Sequence, residues 1–215
     1  MPSILICFAL KEEAAPFHRV AARHPGVVTL IVGIGRQNAE KSVRSFLTAS
    51  APALVLTCGF AGGLNPELKL GDVIFEPAGP AANNQKLTEA LLAAGARPAK
   101  IYCADRIATT VAEKQALRAA TGADAVEMES GAIQAVCAER GLACVTVRVI
   151  SDTAHEALPL DFNALAKADK SLDFGKLAWA ITKSPGKIGA LMQLQKKTKF
   201  AAERLADVLA KLISA

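Results

Sequence analysis

Residues 125–152 read AVEMESGAIQAVCAERGLACVTVRVISD, and their order decides the fold. The acidic Val126-Glu127-Met128-Glu129 opens a stretch of helical period that closes at Gly141, a residue type that ends helices because it enters the left-handed region without a Cβ clash. An apolar, β-branched run over 143–150 follows and ends on Ser151-Asp152, which reads as a strand. Carboxylates before the helix and after the strand meet at one edge of a sheet. Ligands of open α/β sheets bind at that edge, beyond the carboxyl ends of the strands.

Outward from this unit, the first half of the chain alternates strand and helix. Residues 3–8 form a buried strand and 10–23 a helix, with Glu12 and Glu13 in its first turn, where carboxylates suit the helix dipole. Pro16 is expected to delay the regular part of that helix. A second strand, 27–32, ends in Gly33-Ile34-Gly35, and 37–49 is a helix. A third strand, 53–58, runs into a turn made by Gly59-Phe60-Ala61-Gly62-Gly63, and Gly71-Asp72 turns into strand 73–75. A short helix within 77–99, a strand at 101–104 and a helix at 111–121 complete the middle. Continuous hydrophobic strands separated by helices imply a sheet covered on both faces. After residue 172 the pattern becomes helical: 173–182, a break at Ser184-Pro185-Gly186, and one long amphipathic helix over 187–213. The expected organisation is a catalytic unit, 1–172, with 173–215 as a C-terminal helical extension of the same domain.

Composition bounds the class. The 215 residues are 52% hydrophobic and 5% aromatic, the profile of one packed α/β enzyme domain with a full core. The apolar runs are shorter than the roughly 20 residues that cross a bilayer, and the N-terminus lacks the features of a signal peptide. The five cysteines are odd in number and have no metal-ligand spacing, so they read as reduced buried thiols of a cytoplasmic protein, with no metal. The net charge of +5 gathers toward the C-terminal end and does not call for nucleic acid. The basic helix over 187–213 has three readings: docked on the core, laid on the anionic inner face of a membrane, or paired with a partner helix.

Several side chains are candidates for chemistry. Asp152, held in a partly apolar pocket at the strand tip, keeps its proton and acts as a general acid toward a leaving nitrogen; an N-cap or turn aspartate is the plainer use. Glu129, early in its helix, suits the cis-diol of a ribose, and Met128 offers a soft apolar surface to the sugar; a first-turn acid facing the helix dipole is the alternative. Glu127 reads more often as a solvated or capping residue. Glu13 either positions a water or serves its helix start. The glycine turns after the second and third strands permit close backbone approach to a ligand, or simply tight packing.

Taken together, Glu12-Glu13, Gly33-Ile34-Gly35, Cys58 to Gly63 with Gly71-Asp72-Val73, Val126-Glu127-Met128-Glu129 and Ile150-Ser151-Asp152 resemble the nucleoside phosphorylase superfamily, in that family's order. Gly59 to Leu64, Ala104 to Thr109, Ala112-Glu113-Lys114, Ala157-Leu158-Pro159 and the Ser184-Pro185-Gly186 break are similar to the hopanoid-associated phosphorylases. The resemblance implies a three-layer sandwich whose central, mostly parallel, twisted mixed sheet is flanked by helices. It implies cleavage of a purine nucleoside's N-glycosidic bond, phosphorylase-type, on a lipid-linked adenine nucleoside; a hydrolytic nucleosidase and a non-catalytic nucleoside binder are the alternatives. Asp152 becomes the acid at purine N7, Glu13 the residue that activates water, and Glu129 and Met128 the ribose contacts. Glu127, Gly59, Phe60, Ala61, Ser151 and Ile107 line the site, Ile107 where the family stacks an aromatic on the base. The family's phosphate-binding serine and arginine fall at Phe60 and Thr57, and Phe8-Ala9-Leu10 replace its glycine-rich phosphate loop. Arg36 and Lys11 are the substitute anion ligands. No cofactor is expected beyond inorganic phosphate as co-substrate, and a homo-oligomer is.

Overall fold

The structure, a computed structural model, describes residues 3–76, 83–165 and 185–214. The helix expected over 173–182 and the expected domain boundary lie outside the described residues. The elements run β1 (Ile4–Phe8), α1 (Lys11–Ala21), β2 (Val27–Ile31), α2 (Arg36–Phe46), β3 (Leu54–Gly63), β4 (Val73–Glu76), α3 (Asn83–Ala94), β5 (Arg97–Pro98), β6 (Ile101–Cys103), α4 (Val111–Thr121), β7 (Ala125–Glu127), α5 (Ser130–Glu139), β8 (Ala143–Asp152), α6 (Phe162–Leu165) and α7 (Ile188–Ser214). A 3-10 turn, Pro185–Lys187, precedes α7.

The described strands form an eight-stranded mixed sheet in the order β2-β1-β3-β8-β4-β5, with β7 pairing β3 and β6 pairing β7. The central pairs β1–β2, β1–β3 and β3–β8 are parallel, while β4 runs antiparallel to β8 and β7 antiparallel to the end of β3. The period of two sorts side chains between two cores. Ile6 and Phe8 of β1, with Val145, Val147 and Val149 of β8, face a layer that includes Ala14 and Phe17 of α1 and Leu205 and Leu209 of α7. Leu5 and Cys7 face Ala39 and Val43 of α2 and Ile133 and Val136 of α5. Helices therefore cover both faces, as the continuous apolar strands require.

Three local readings of the sequence change. The Val126-Glu127 segment is strand β7, and α5 begins only at Ser130; the acidic run is spent on pairing with β3 and on capping the helix that follows. The glycines after Cys58 do not form a turn but continue β3 through Gly63, because the parallel partner β8 extends equally far, to Asp152. Pro16 sits inside α1 rather than delaying it; its missing N–H is tolerated in a helix held by packing, with Phe17 fully buried.

The long C-terminal helix divides into two halves. From Ala201 onward, Ala202, Leu205, Val208 and Leu209 are buried in the core. Before it, Ile188, Met192 and Phe200 are each about half exposed. Docking on the core is thus the structure of the second half only. Leu205→Ala should cost about 2–5 kcal/mol, as large-to-small changes in a packed core do, whereas Met192→Ala should stay within about 0.5 kcal/mol. Urea denaturation of both variants, with unchanged m-values, checks this division.

Candidate active site

The parallel pairing of β3 and β8 ends at Ala61↔Ile150; the register then shifts so that Gly62 stands opposite Asp152, while its other edge takes Val126 of β7. Three strand tips thereby converge near the starts of α1 and α5. A cavity of about 260 Å³ opens between them. Glu13, Phe60, Ala61, Ile107 and Glu127 line it, as do Met128, Glu129, Ser151 and Asp152. The residues picked from separate parts of the chain therefore meet at one site. Gly59, Lys11 and Arg36 are not part of the wall. Lys11 is exposed on α1. Arg36 turns to the Cys103 carbonyl at 3.2 Å and to Asp105 at 3.2 Å. Gly59 lies behind the wall, where an added Cβ would come within 2.7 Å of Glu13 Oε1 and 2.9 Å of Arg148 Nη1. His155, near Asp152 in sequence, is exposed.

Arg148 organises the acids. It projects from β8 on the α5 side of the sheet, two residues beyond Thr146, which accepts from Gln134 of α5 at 2.9 Å. Its side chain is 1% exposed and pairs with Glu127; Glu129 Oε2 lies 3.9 Å away and Thr57 Oγ1 accepts at 3.1 Å. Sequence reasoning missed this residue. The signal was there: one charge inside the buried run 145–150 must be paired if it is to stay charged.

The carboxylates differ in state because their partners differ. Glu127 is buried in the cavity wall rather than solvated. Its oxygens accept from the Glu129 and Ser130 N–H groups at 3.0 and 2.8 Å and from Ser130 Oγ at 2.6 Å, so it caps α5. Burial pushes its carboxyl up, but the Arg148 guanidinium and these donors outweigh that and hold it below the usual range. Glu129 accepts from Gly35 N–H at 2.7 Å; burial raises its carboxyl in spite of Arg148, and the Glu127 charge adds to the rise. Glu13 accepts from Leu10 N–H and Phe60 N–H, both at 2.8 Å. Burial pushes it up to about 7, against the Phe60 N–H, and the Glu129 charge pushes the same way. A carboxylate poised there serves as a base near neutral pH. The helix-start use of Glu13 and its place in the cavity wall are both real: its Oε2 serves Leu10 and its Oε1 serves Phe60.

The pocket around Asp152 corrects the sequence expectation. Its surroundings are not apolar. Lys114 Nζ, fully buried, sits 2.5 Å from Asp152 Oδ2, and Ser151 Oγ donates to Oδ1 at 2.7 Å. The same ammonium donates to the Thr153 and Glu156 carbonyls at 2.7 and 2.8 Å. Lys114 was another residue that the sequence did not single out. Its position is three residues from Val111 and three from Leu117, hence on the apolar face of α4, and it is the buried residue of that helix. Among the described residues, no cluster of acids, histidines and cysteines is placed to hold a metal ion.

A mostly parallel sheet with a carboxylate-lined cavity at its strand tips defines an α/β enzyme-like class. Comparison with known proteins agrees. The family model of the Phosphorylase superfamily matches residues 79–183. A 5'-methylthioadenosine/S-adenosylhomocysteine nucleosidase of Marinomonas sp. (strain MWYL1) is 31% identical over 171 residues, 66% of this chain and 74% of the relative. An aminodeoxyfutalosine nucleosidase of Campylobacter jejuni is 27% identical over 158 residues, 60% of this chain and 69% of the relative. Among solved structures, the futalosine hydrolase of Helicobacter pylori superposes with a TM-score of 0.72 at 18% identity, covering 99% of this chain and 97% of that one. The chain belongs to the phosphorylase superfamily.

Replacing Arg148 by Met strips the cation from three buried acids. The fold should lose about 3–5 kcal/mol, as when one partner of a buried ion pair is removed. Chemical denaturation of Arg148→Met at pH 7 measures the loss, and lowering the pH should recover part of it as the stranded carboxylates take up protons.

Proposed function

We propose that the protein cleaves the N-glycosidic bond of an adenine nucleoside, with water as the nucleophile. The observation that carries this reading is the meeting of Glu13, Glu129 and Asp152 in one cavity wall. As the C–N bond lengthens, positive charge gathers on the sugar and negative charge on the purine. Asp152 supplies the proton to the departing base at N7. Glu129, one oxygen anchored by Gly35, turns its remaining lone pairs to the ribose hydroxyls and fixes the sugar, with Met128 beneath it; the gain is one of positioning. Glu13 takes the proton of the attacking water. The names of the relatives, nucleosidases of methylthioadenosine and of aminodeoxyfutalosine, support a nucleoside substrate and hydrolysis.

Phosphorolysis, expected from the resemblance to phosphorylases, finds less support. The serine position is occupied by Phe60, at the cavity wall, and Arg36 and Lys11 point elsewhere. A binder without turnover is the remaining outcome of the same assay. An adenine-release assay on methylthioadenosine, with and without inorganic phosphate, decides among them. Release should be independent of phosphate and should climb as the pH rises through about 7, because only ionised Glu13 accepts a proton. Asp152→Asn should lower turnover by about 10²–10⁴-fold, the usual worth of a positioned acid. Phosphate-dependent release would establish phosphorolysis, and adenosine binding without release would establish the binder.

A second reading concerns the 5′ substituent. Leu10, Ile34, Leu158, Phe162 and Leu194 extend the cavity's apolar lining toward α7. Beyond Leu194, the exposed half of α7 carries Ile188 and Met192 beside Lys187, Lys196 and Lys199. This pattern suits an apolar, lipid-linked nucleoside taken from an anionic membrane surface. No described helix is long and apolar enough to cross a membrane, so the contact would be peripheral. The reading also includes assembly of more than one copy, as the family resemblance implies. Vesicles containing anionic lipid should pellet the protein, and the double variant Ile188→Ser, Met192→Ser should stay in solution; equal pelleting of both would end the membrane reading.

A further inference from the structure

We propose that Lys114 is the proton reserve of Asp152: the two side chains hold one proton between them, and Lys114 resupplies through Asp152 the proton that leaves with the base. The proposal rests on the catalytic reading above and adds a residue to it. Lys114 does not line the cavity; it acts through its neighbour and is a positioning residue rather than a catalytic one.

The geometry carries the idea. The Nζ has three protons and three acceptors: Asp152 Oδ2 at 2.5 Å, the Thr153 carbonyl at 2.7 Å and the Glu156 carbonyl at 2.8 Å. A neutral amine has two N–H donors and one lone pair. After the ammonium gives a proton to Oδ2, its two remaining N–H groups keep both carbonyls and its lone pair accepts from the new carboxylic acid. The site is thus satisfied in both states, with no side chain moving. A purely structural lysine needs no acceptor that can take its proton, and Asp152 is one that also opens onto the cavity.

The charged neighbours of the pair are engaged elsewhere. Ser151 Oγ fixes Oδ1. Glu156 is itself spoken for: its carboxylate accepts from Thr153 N–H at 3.1 Å and pairs with Lys197 of α7 at 2.5 Å. Glu113 on α4 pairs with Arg106 at the cavity edge. Glu13 and Glu129 also line the cavity, with Arg148 Nη2 3.9 Å from Glu129 Oε2. Gly62 leaves the space: a Cβ there would lie 3.3 Å from Asp152 Oδ2 and 3.8 Å from Lys114 Cε.

The steps balance. The C1′–N bond breaks with its electron pair going to the purine, and purine N7 takes a proton from Asp152. That proton is the shared one: it passes from Lys114 to Asp152 Oδ2 as the bond breaks, so Lys114 is left as the neutral amine and Asp152 as the carboxylate. Water bonds to C1′ and gives its proton to Glu13, and the proton on Glu13 returns to Lys114 through solvent once products leave.

The test compares wild type, Lys114→Met and Lys114→Gln across pH 5–10 on two substrates, methylthioadenosine and p-nitrophenyl riboside, whose nitrophenolate leaves without a proton. On methylthioadenosine the alkaline limb of turnover should move to lower pH in both variants, with a loss of at least about 100-fold at the alkaline end. On the nitrophenyl riboside both should remain near wild type. Equal losses on both substrates would overturn the proposal in favour of a structural role, as would an unmoved alkaline limb. Calorimetric binding of adenine over the same pH range separates this from the catalytic reading. If wild type binds adenine up to a higher pH than the variants but releases none from nucleosides, the shared proton stands and the catalytic reading falls. If adenine binding is pH-independent or unchanged by the substitutions, the shared proton falls. Lys114→Gln keeps an N–H donor for the loop carbonyls and holds the comparison together where Lys114→Met fails to fold.

Discussion

The Arg148 guanidinium is the constraint on which the site depends. Three acids, Glu13, Glu127 and Glu129, come from α1, from β7 and from the turn into α5, and each is more than nine-tenths buried. Brought together without a cation they would repel one another in a medium that screens poorly; two unit charges about 4 Å apart interact by about 4 kcal/mol at an effective dielectric of about 20. Arg148 changes the sign of that sum. It stands at the middle of the sheet, on a strand paired on both edges, so its base cannot drift. Burial would by itself weaken its charge, but Glu127, Glu129 and Glu13 together more than restore it.

One cation shared unequally also explains why three like residues do different work. Glu127 takes the direct ion pair and three donors, which leaves it ionised and fully occupied. Glu129, farther out, has one anchored oxygen and room to accept from a ligand. Glu13 is held by two backbone N–H groups and is pushed up to about 7. The division follows from distance to Arg148 and from the number of donors, not from residue type. Gly59 is required in the same arrangement: at φ 149 and with Glu13 Oε1 at 2.7 Å from an added Cβ, any side chain there would part Glu13 from Arg148.

Much of this was legible in the sequence, for stated physical reasons. Strands buried on both faces announce themselves as continuous apolar runs, so β1, β3 and β8 and their covering helices were readable. So was α4, bounded by Thr110 with its Glu113 capping box and by Gly122 in the left-handed region. Acids next to strand tips marked Glu13, Glu129 and Asp152. The glycines after Cys58 misled because Gly usually breaks a strand, whereas here close approach to Arg148 and Asp152 requires them within one. The Val126-Glu127 strand was hidden because three residues are too few for a period. Arg148 and Lys114 were hidden for a different reason: a charge inside an apolar pattern reads as noise until its partner is known, and both partners lie more than twenty residues away in the chain.

Those two cations stand behind different acids of the cavity wall, Arg148 beside Glu127 and Glu129 and Lys114 beside Asp152. Arg148, too basic to give up a proton, can only fix negative charge, and the acids beside it are held together by that charge. Lys114 has three acceptors, the Thr153 and Glu156 carbonyls and Asp152, and of these Asp152 opens onto the cavity by its side chain. A lysine at 148 would place a compact, more strongly hydrated charge in a position that is fully buried. The choice of cation thus differs between the two places because Arg148 stands among three buried acids while Lys114 serves a single acid and two carbonyls, and β3 and β8, running side by side to the same edge, bring both groups to one cavity.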